Sequence, residues 1–302
     1  MLVGAHIRHG RQQPRPCHRR PAPPTPGATN ARRHQRRYNA GVLTCSLQSG
    51  SNGNCIYVEA GAQRLLFDAG ISGLQARLRL EAHGRDLRAV TAVIISHDHT
   101  DHIGCVGVFN HRYQLPVYLT RATHDRVRHR VGTLRRVNHF VSGQTLEFGP
   151  VRVHTVKTPH DAVDGVAFVV EHEGKRLGIM TDLGHPFAAL TEMLAELDAA
   201  YLESNYDPEM LAAGPYPAVL QDRIRGPGGH LSNEEAARLL RDGYRERTLF
   251  APRNGPKWIA LAHLSAENNL PDLALDTHRK LLGRDFPLFI AGRHEVSPMW
   301  EV

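Results

Sequence analysis

The chain is poor in cysteine. Four of its 302 residues are cysteines (Cys17, Cys45, Cys55, Cys105), and none stands in a C-x-x-C pair. That spacing excludes a disulfide-built scaffold and a zinc ribbon, and points to reduced thiols in a cytoplasmic compartment. No run of about 18 consecutive apolar residues occurs, so no membrane-spanning helix and no membrane partner are expected. No repeat of solenoid period is present. Residues 1–40 lack lysine and every acidic side chain, yet they hold nine arginines. They also lack the apolar centre of a secretory signal. The formal charge of +7 is concentrated there, because the other 262 residues carry 28 basic and 30 acidic side chains. Nucleic-acid binding by the folded part must therefore rest on local patches rather than on net charge.

What is present divides the chain in two. Residues 1–40, with the run Pro21-Ala22-Pro23-Pro24-Thr25-Pro26-Gly27, read as a disordered Arg/Pro-rich tail or a mis-assigned start. Residues 41–302 read as a single domain. The strands expected first form hairpins: Val42–Leu47, Asn54–Glu59 and Arg64–Phe67, then Thr145–Phe148 with Val151–Val156, and Val166–Glu171 with Arg176–Met180. Others alternate with helices: Val90–Ile95, Val117–Leu119, Ala199–Leu202, Trp258–Ala262 and Pro287–Ile290 among helices at Leu74–His83, Ala188–Leu197, from Ser232, and Asp272–Leu282. Ser232 and Glu235 form a capping box. Hairpins followed by α/β alternation predict an α/β fold, an αββα sandwich of two mixed sheets with outer helices, rather than a doubly wound sheet.

The densest chemistry is Ser96-His97-Asp98-His99-Thr100-Asp101-His102, directly after an apolar strand. A strand end entering a tight loop can turn alternate side chains into one cavity. Imidazole and carboxylate together suit zinc, manganese or iron. A polar turn with chance histidines is the bland alternative, and the full H-x-H-x-D-H order argues against it.

That order resembles the signature of the metallo-β-lactamase fold superfamily. Leu65-Leu66-Phe67-Asp68-Ala69-Gly70, Thr158-Pro159-His160, Thr181-Asp182-Leu183-Gly184 and Ile259-Ala260-Leu261-Ala262-His263 resemble its other blocks, in order. The resemblance covers roughly residues 42–292. It implies two divalent metal ions, zinc or manganese: one on His97, His99 and His160, the other on Asp101, His102 and His263, with Asp182 between them. It also implies a supporting role for Asp68. Two cations about 3.5–4 Å apart would hold a bridging hydroxide and clamp a phosphate or carbonyl oxygen.

A narrower resemblance is to the YycJ (WalJ)-like hydrolases. It is carried by Gln48-Ser49-Gly50-Ser51-Asn52-Gly53-Asn54, Leu202-Glu203-Ser204-Asn205-Tyr206-Asp207, Gly229-His230-Leu231-Ser232 and Ala262-His263-Leu264-Ser265. It implies a metal-dependent nuclease that degrades DNA from a 5′ end, with Asp101 and His230 as catalytic residues. His230 and Ser232 precede a helix N-terminus, which suits phosphate, and His230 is alternatively a proton donor. Asn205 and Glu203 are expected to support the ligands, Arg223 and Arg225 to bind substrate, and Asp161 and Asp164 to shape a turn. The arginines from Arg121 to Arg136 either track a phosphate backbone or form a solvated helix face. Cys105 is expected to be a small buried residue rather than a ligand. The leading expectation is a DNA exonuclease. The alternative is a small-molecule hydrolase acting on a thioester, lactone or cyclic phosphodiester, since this fold hosts many chemistries.

Overall fold

The structure is a computed structural model that describes Met1, residues 41–250 and residues 255–302. The expectation of a disordered tail or mis-assigned start falls on residues outside this set, as does Cys17.

Among the described residues, fourteen strands form two seven-stranded sheets. The first contains β1 (Val42–Gln48), β2 (Cys55–Ala60), β3 (Gln63–Phe67), β4 (Ala92–Ile94), β5 (Val117–Thr120), β6 (Val137–Phe140) and the closing β14 (Trp300–Glu301), in the order β14-β1-β2-β3-β4-β5-β6. The second contains β7 (Thr145–Phe148), β8 (Val151–Lys157), β9 (Val166–His172), β10 (Lys175–Met180), β11 (Ala199–Glu203), β12 (Trp258–Ala262) and β13 (Leu288–Ile290), in the order β13-β12-β11-β10-β9-β8-β7. In each sheet the hairpin strands are antiparallel and the strands joined through helices are parallel. Both sheets are therefore mixed.

Alternation along the strands sorts the core into layers. Val42, Ile56, Val58, Phe67 and Ile94 of the first sheet join Phe168, Val170, Tyr201 and Trp258 of the second in one buried cluster. The rings of Phe67 and Phe168 meet across it with centroids 5.1 Å apart. Each such side chain contributes about 1.5–3 kcal/mol by leaving water. The opposite face of the first sheet (Cys45, Leu47, Tyr57, Leu66) packs on Ala76 and Leu80 of α1 (Gly73–Ala82), Phe109 of α3 (Val106–Arg112) and Val127 of α4 (Arg121–Val131). The second sheet's outer face packs on Leu190 and Leu194 of α5 (Ala188–Glu196), Leu239 of α8 (Asn233–Phe250) and Ala274 of α9 (Pro271–Leu282). The αββα layering is as expected.

Three local outcomes differ from the sequence reading. The strand placed at Val90–Ile95 is shorter, because Asp86 caps a 3-10 turn at Leu87–Ala89 that delays it. Helix α4 buries only Thr123 and Val127 of its eleven residues, so hydrophobic periodicity hardly marks it. Cys105 is half-buried rather than buried, whereas Cys45 and Cys55 are buried free thiols. Burial pushes the Cys45 thiol up to about 12. No described helix is long and apolar enough to cross a membrane.

Candidate metal centre

The parallel strands β3, β4, β10, β11 and β12 end on one edge of the sandwich, and the loops leaving them carry the chemistry. Ligand sites in open α/β sheets lie outside such carboxyl ends. His97 follows β4, His99 caps the short helix α2 (Thr100–Ile103), and Asp101 and His102 lie on its first turn. The loop after β3 is pressed against this turn. A Cβ on Gly70 would lie 1.7 Å from the Asp101 carbonyl oxygen, so only glycine fits there. Asn54 N donates to that carbonyl and Ala69 N to the His102 carbonyl, at 2.7 and 2.6 Å. Asp68, Asp182 and His263 hold left-handed φ values of 66°, 55° and 55°. Strained backbone of this kind collects where a site fixes side-chain direction.

The seven residues proposed from sequence as ligands converge. Possible ligand atoms of His97, His99 and His160 lie within 4.8 Å of one another, as do those of Asp101, His102 and His263. Asp182 stands between the two groups. Its Oδ1 is 3.5 Å from His160 Nε2, and its Oδ2 is 3.1 Å from His102 Nε2. His263 Nε2 is 3.3 Å from Asp101 Oδ2.

Neighbouring groups set which imidazole nitrogens are bare. His102 Nδ1 donates to Asp68 Oδ2 at 2.7 Å. His160 Nδ1 donates to the Gly229 carbonyl at 2.8 Å. The Ser96 hydroxyl donates to Asp68 Oδ2, so its oxygen accepts from His97 Nδ1 at 2.8 Å. Each arrangement turns Nε2 toward the centre, as partners of metal-binding histidines do; His102 Nε2 there lies 2.9 Å from Asn54 Nδ2, and His160 Nε2 3.2 Å from His99 Nδ1. His97 Nε2 and Asp182 Oδ2 are buried without a hydrogen-bond partner, a state that costs about 1–3 kcal/mol per group. A donor set of five histidines and two aspartates, with orphaned atoms aimed inward, fits divalent zinc or manganese.

The electrostatics agree. Burial, reinforced by neighbouring His102, holds His97 well below its ordinary pKa, in the neutral form that ligates. Burial would also lower His263, but Asp182, Asp101 and Glu203 outweigh it and push it up to about 10. Burial would raise Asp182, yet His263 and His102 hold it well below the usual carboxylate range. A field that favours imidazolium at His263 favours any cation placed there.

The supporting residues fall into two sets. Asp68 also accepts from Ser96 N at 2.8 Å, Asn205 Nδ2 donates to the His263 carbonyl at 2.8 Å, and Glu203 Oε2 accepts from Leu183 N at 2.9 Å. Glu203 Oε1 lies 2.6 Å from His230 Nδ1. Burial opposes the Glu203 charge, but His230 overcomes it and holds the carboxyl down at about 2. The near-copies His230-Leu231-Ser232 and His263-Leu264-Ser265 thus take different places: His263 meets Asp101, and His230 meets Glu203. Ser232 does not face the cleft; its hydroxyl donates to Glu235 Oε2 at 2.7 Å in the capping box. Arg225 is paired with Gln221 outside the cleft, whereas Arg223 lines it and is bound to Asp161 at 2.6 and 3.1 Å. Asp161 therefore faces the site, beyond the turn role expected for it. Asp164 does not line the cleft.

Sequence reasoning assigned no role to three individual contributors. Asn54 Nδ2 lies 3.2 Å from Asp101 Oδ2, and Ser49 Oγ accepts from His263 N at 2.8 Å. Both belong to the Gly/Ser-rich loop, whose composition was the only signal. Arg293 bonds the Asn52 side chain at 2.9 Å and the Leu264 carbonyl, tying that loop to the His263 turn. Nothing near it in sequence marks it.

Asp68→Asn tests the support of His102. Asparagine tolerates a left-handed φ, so the backbone survives while the charged acceptor goes. Metal affinity is expected to fall about 10–100-fold, measured by competition with a chelating dye. Native affinity would show that Asp68 only closes a loop.

The centre floors a cleft of about 760 Å³. A family model described as "Beta-lactamase superfamily domain" matches residues 63–251. Exodeoxyribonuclease YycJ of Bacillus anthracis is 33% identical over 76% of this chain and 84% of its own. Exodeoxyribonuclease WalJ of Streptococcus pneumoniae is 31% identical over 85% of this chain and 96% of its own. Among solved structures, the metallo-β-lactamase fold protein YhfI of Bacillus subtilis superposes with a TM-score of 0.66 at 19% identity, covering 87% of this chain and 100% of that one.

Proposed function

We propose that this chain, which belongs to the beta-lactamase superfamily, is a two-metal phosphodiesterase that acts as a DNA exonuclease. One observation carries the reading: relatives named exodeoxyribonucleases match at 31–33% identity over most of both chains. The convergent donor set supports it. Residues 41–302 are taken as one catalytic domain, and the buried free thiols Cys45 and Cys55 suit a reducing cytoplasm.

His97, His99 and His160 would hold one ion, Asp101, His102 and His263 the other, and Asp182 both. Zinc or manganese in these places supplies Lewis acidity that activates water and neutralises charge on a phosphodiester. The protein's own groups do the rest. Asp68, through Ser96 and directly, and the Gly229 carbonyl keep the protons on the outer nitrogens of His97, His102 and His160. Asn205 fixes the His263 turn. Glu203 holds His230 Nδ1, which aims the imidazole at the cleft and leaves Nε2 to carry a proton to the departing oxygen.

The test is digestion of a 5′-phosphorylated, end-labelled DNA with added manganese, beside Asp101→Ala. Progressive loss from the 5′ end by the native protein, and none by the variant, is the expected result. Intact DNA, with both metals bound, would transfer the site to a small ester or cyclic phosphodiester.

A further inference from the structure

The two walls of the cleft differ in kind. One is α4. Of its basic side chains, Arg126, His129 and Arg130 face the cleft, spaced i, i+3, i+4 on one side of the helix, while Arg121 and Arg128 do not line it. Arg130 is fastened to the metal-bearing loop, donating to the Asp98 carbonyl at 2.5 Å and to Thr100 Oγ1 at 3.1 Å. Arg126 has only a loose ion pair, 3.8 Å from Asp98 Oδ2, and its side chain is 70% exposed. The other wall is built by α6 (Pro208–Ala213), α7 (Ala218–Arg225) and the turn between them. It presents Tyr216, Leu220 and Ile224, which pack with Tyr206 and Leu211 in a small apolar cluster. The arginine lining that side, Arg223, is occupied by both oxygens of Asp161.

A cleft lined by cations from α4 and by apolar and aromatic side chains from α7 and the turn before it matches one nucleic-acid strand, whose phosphates lie along one side and whose bases lie along the other. A paired duplex hides its bases and presents phosphate outward on both strands, and would need free cations on both walls. A small lactone or thioester needs no cation one helical turn away from the centre. We propose that the cleft binds a single-stranded end. Its backbone phosphates run along Arg126 and Arg130, and a base lies against Tyr216 and Leu220. This rests on the nuclease reading of the metal centre and adds the path of the strand.

Binding of a fluorescent 12-nucleotide single strand is followed by anisotropy across a salt series, in the Asp101→Ala background so that the strand survives. Arg126→Ala is expected to lower the slope of log K against log salt by about 0.7, one phosphate contact. Tyr216→Ala is expected to weaken binding about tenfold at every salt concentration. Arg128→Ala removes the same charge from outside the cleft and is expected to leave slope and affinity as they were. In the otherwise native enzyme, Arg126→Ala should cost at least fivefold more on the strand than on bis(p-nitrophenyl) phosphate. The single strand should also be consumed faster than a blunt duplex. Equal effects of Arg126→Ala and Arg128→Ala would reduce the wall to diffuse charge and overturn the strand path. So would native binding by Tyr216→Ala, or preference for the duplex. If single-stranded and duplex DNA are both left intact while the small diester is hydrolysed, the nuclease reading itself fails. If the strand is degraded and both cleft variants bind it natively, that reading stands and only the path is wrong.

Discussion

Asp182→Asn is expected to reduce DNA degradation by roughly 10³-fold or more, about 4 kcal/mol of transition-state stabilisation at 1.36 kcal/mol per tenfold. It is also expected to lower the bound metal from the two ions per chain proposed above toward one. Asparagine is the informative replacement because Asp182 sits at a φ of 55°, which asparagine accepts and alanine resists. The variant keeps the turn after β10, and the contact of Oδ1 with His160 survives in outline. What it removes is the charge that lies 3.1–3.5 Å from imidazoles of both groups. A buried anion between two cation sites lowers the repulsion of holding both. Without it, the second ion enters against the charge of the first. Metal analysis after dialysis reads the stoichiometry, and thermal unfolding with and without manganese reads the linked stabilisation. Two ions bound at native affinity would show that Asp182 only packs beside the centre.

The architecture was largely legible because its signals are local. Each hairpin announces itself by alternation and a turn pair, as at Glu173-Gly174 between β9 and β10. The centre was legible for a different reason. His97 to His102 compress four donors into one turn, and the remaining blocks recur in a fixed order along the chain. Contacts made across the fold left weaker marks. Glu203 looks like a strand-end acid, and only the tertiary structure puts its two oxygens on Leu183 and His230. Ser232 was read as a phosphate ligand, yet its hydroxyl serves the capping box that the same sequence announced, and one hydroxyl cannot face both ways. Arg223 and Arg225 are two residues apart, about 200° on a helix of 3.6 residues per turn, so only one can face the cleft. Helix α4 was hard to read because its two buried side chains give almost no periodic signal. Its cleft-facing side chains Arg126, His129 and Arg130 emerge only in the tertiary structure.

His230 carries the second large expectation. His230→Gln should slow DNA degradation about 10²–10⁴-fold, the range for loss of a positioned proton donor. It should do so without loss of metal. The geometry sets the reason. Glu203 is fully buried, one oxygen is committed to Leu183 N, and the other faces His230 Nδ1 at 2.6 Å. The same oxygen lies 3.5 Å from His263 Nδ1, but the much shorter contact with His230 orients that ring through Nδ1 and turns Nε2 toward the cleft. Glu203→Gln keeps the shape and loses that charge, so a smaller loss, about 10–100-fold, is expected from misorientation. The substrate separates proton donation from mere phosphate binding. A nucleotide oxygen leaves poorly without a proton, whereas p-nitrophenolate leaves unaided. Both variants should therefore recover most of their lost rate on a p-nitrophenyl phosphodiester. Equal losses on the two substrates would make His230 a phosphate-binding group. A fall in bound metal would make it a ligand instead, which its place beside Asp182, Glu203 and His263 also allows. The two histidines of the duplicated His-Leu-Ser blocks would then share one task. His263 Nε2 meets Asp101 and His230 Nδ1 meets Glu203, and on the proposed reading that division lets one sequence pattern serve metal holding and proton delivery within a single cleft.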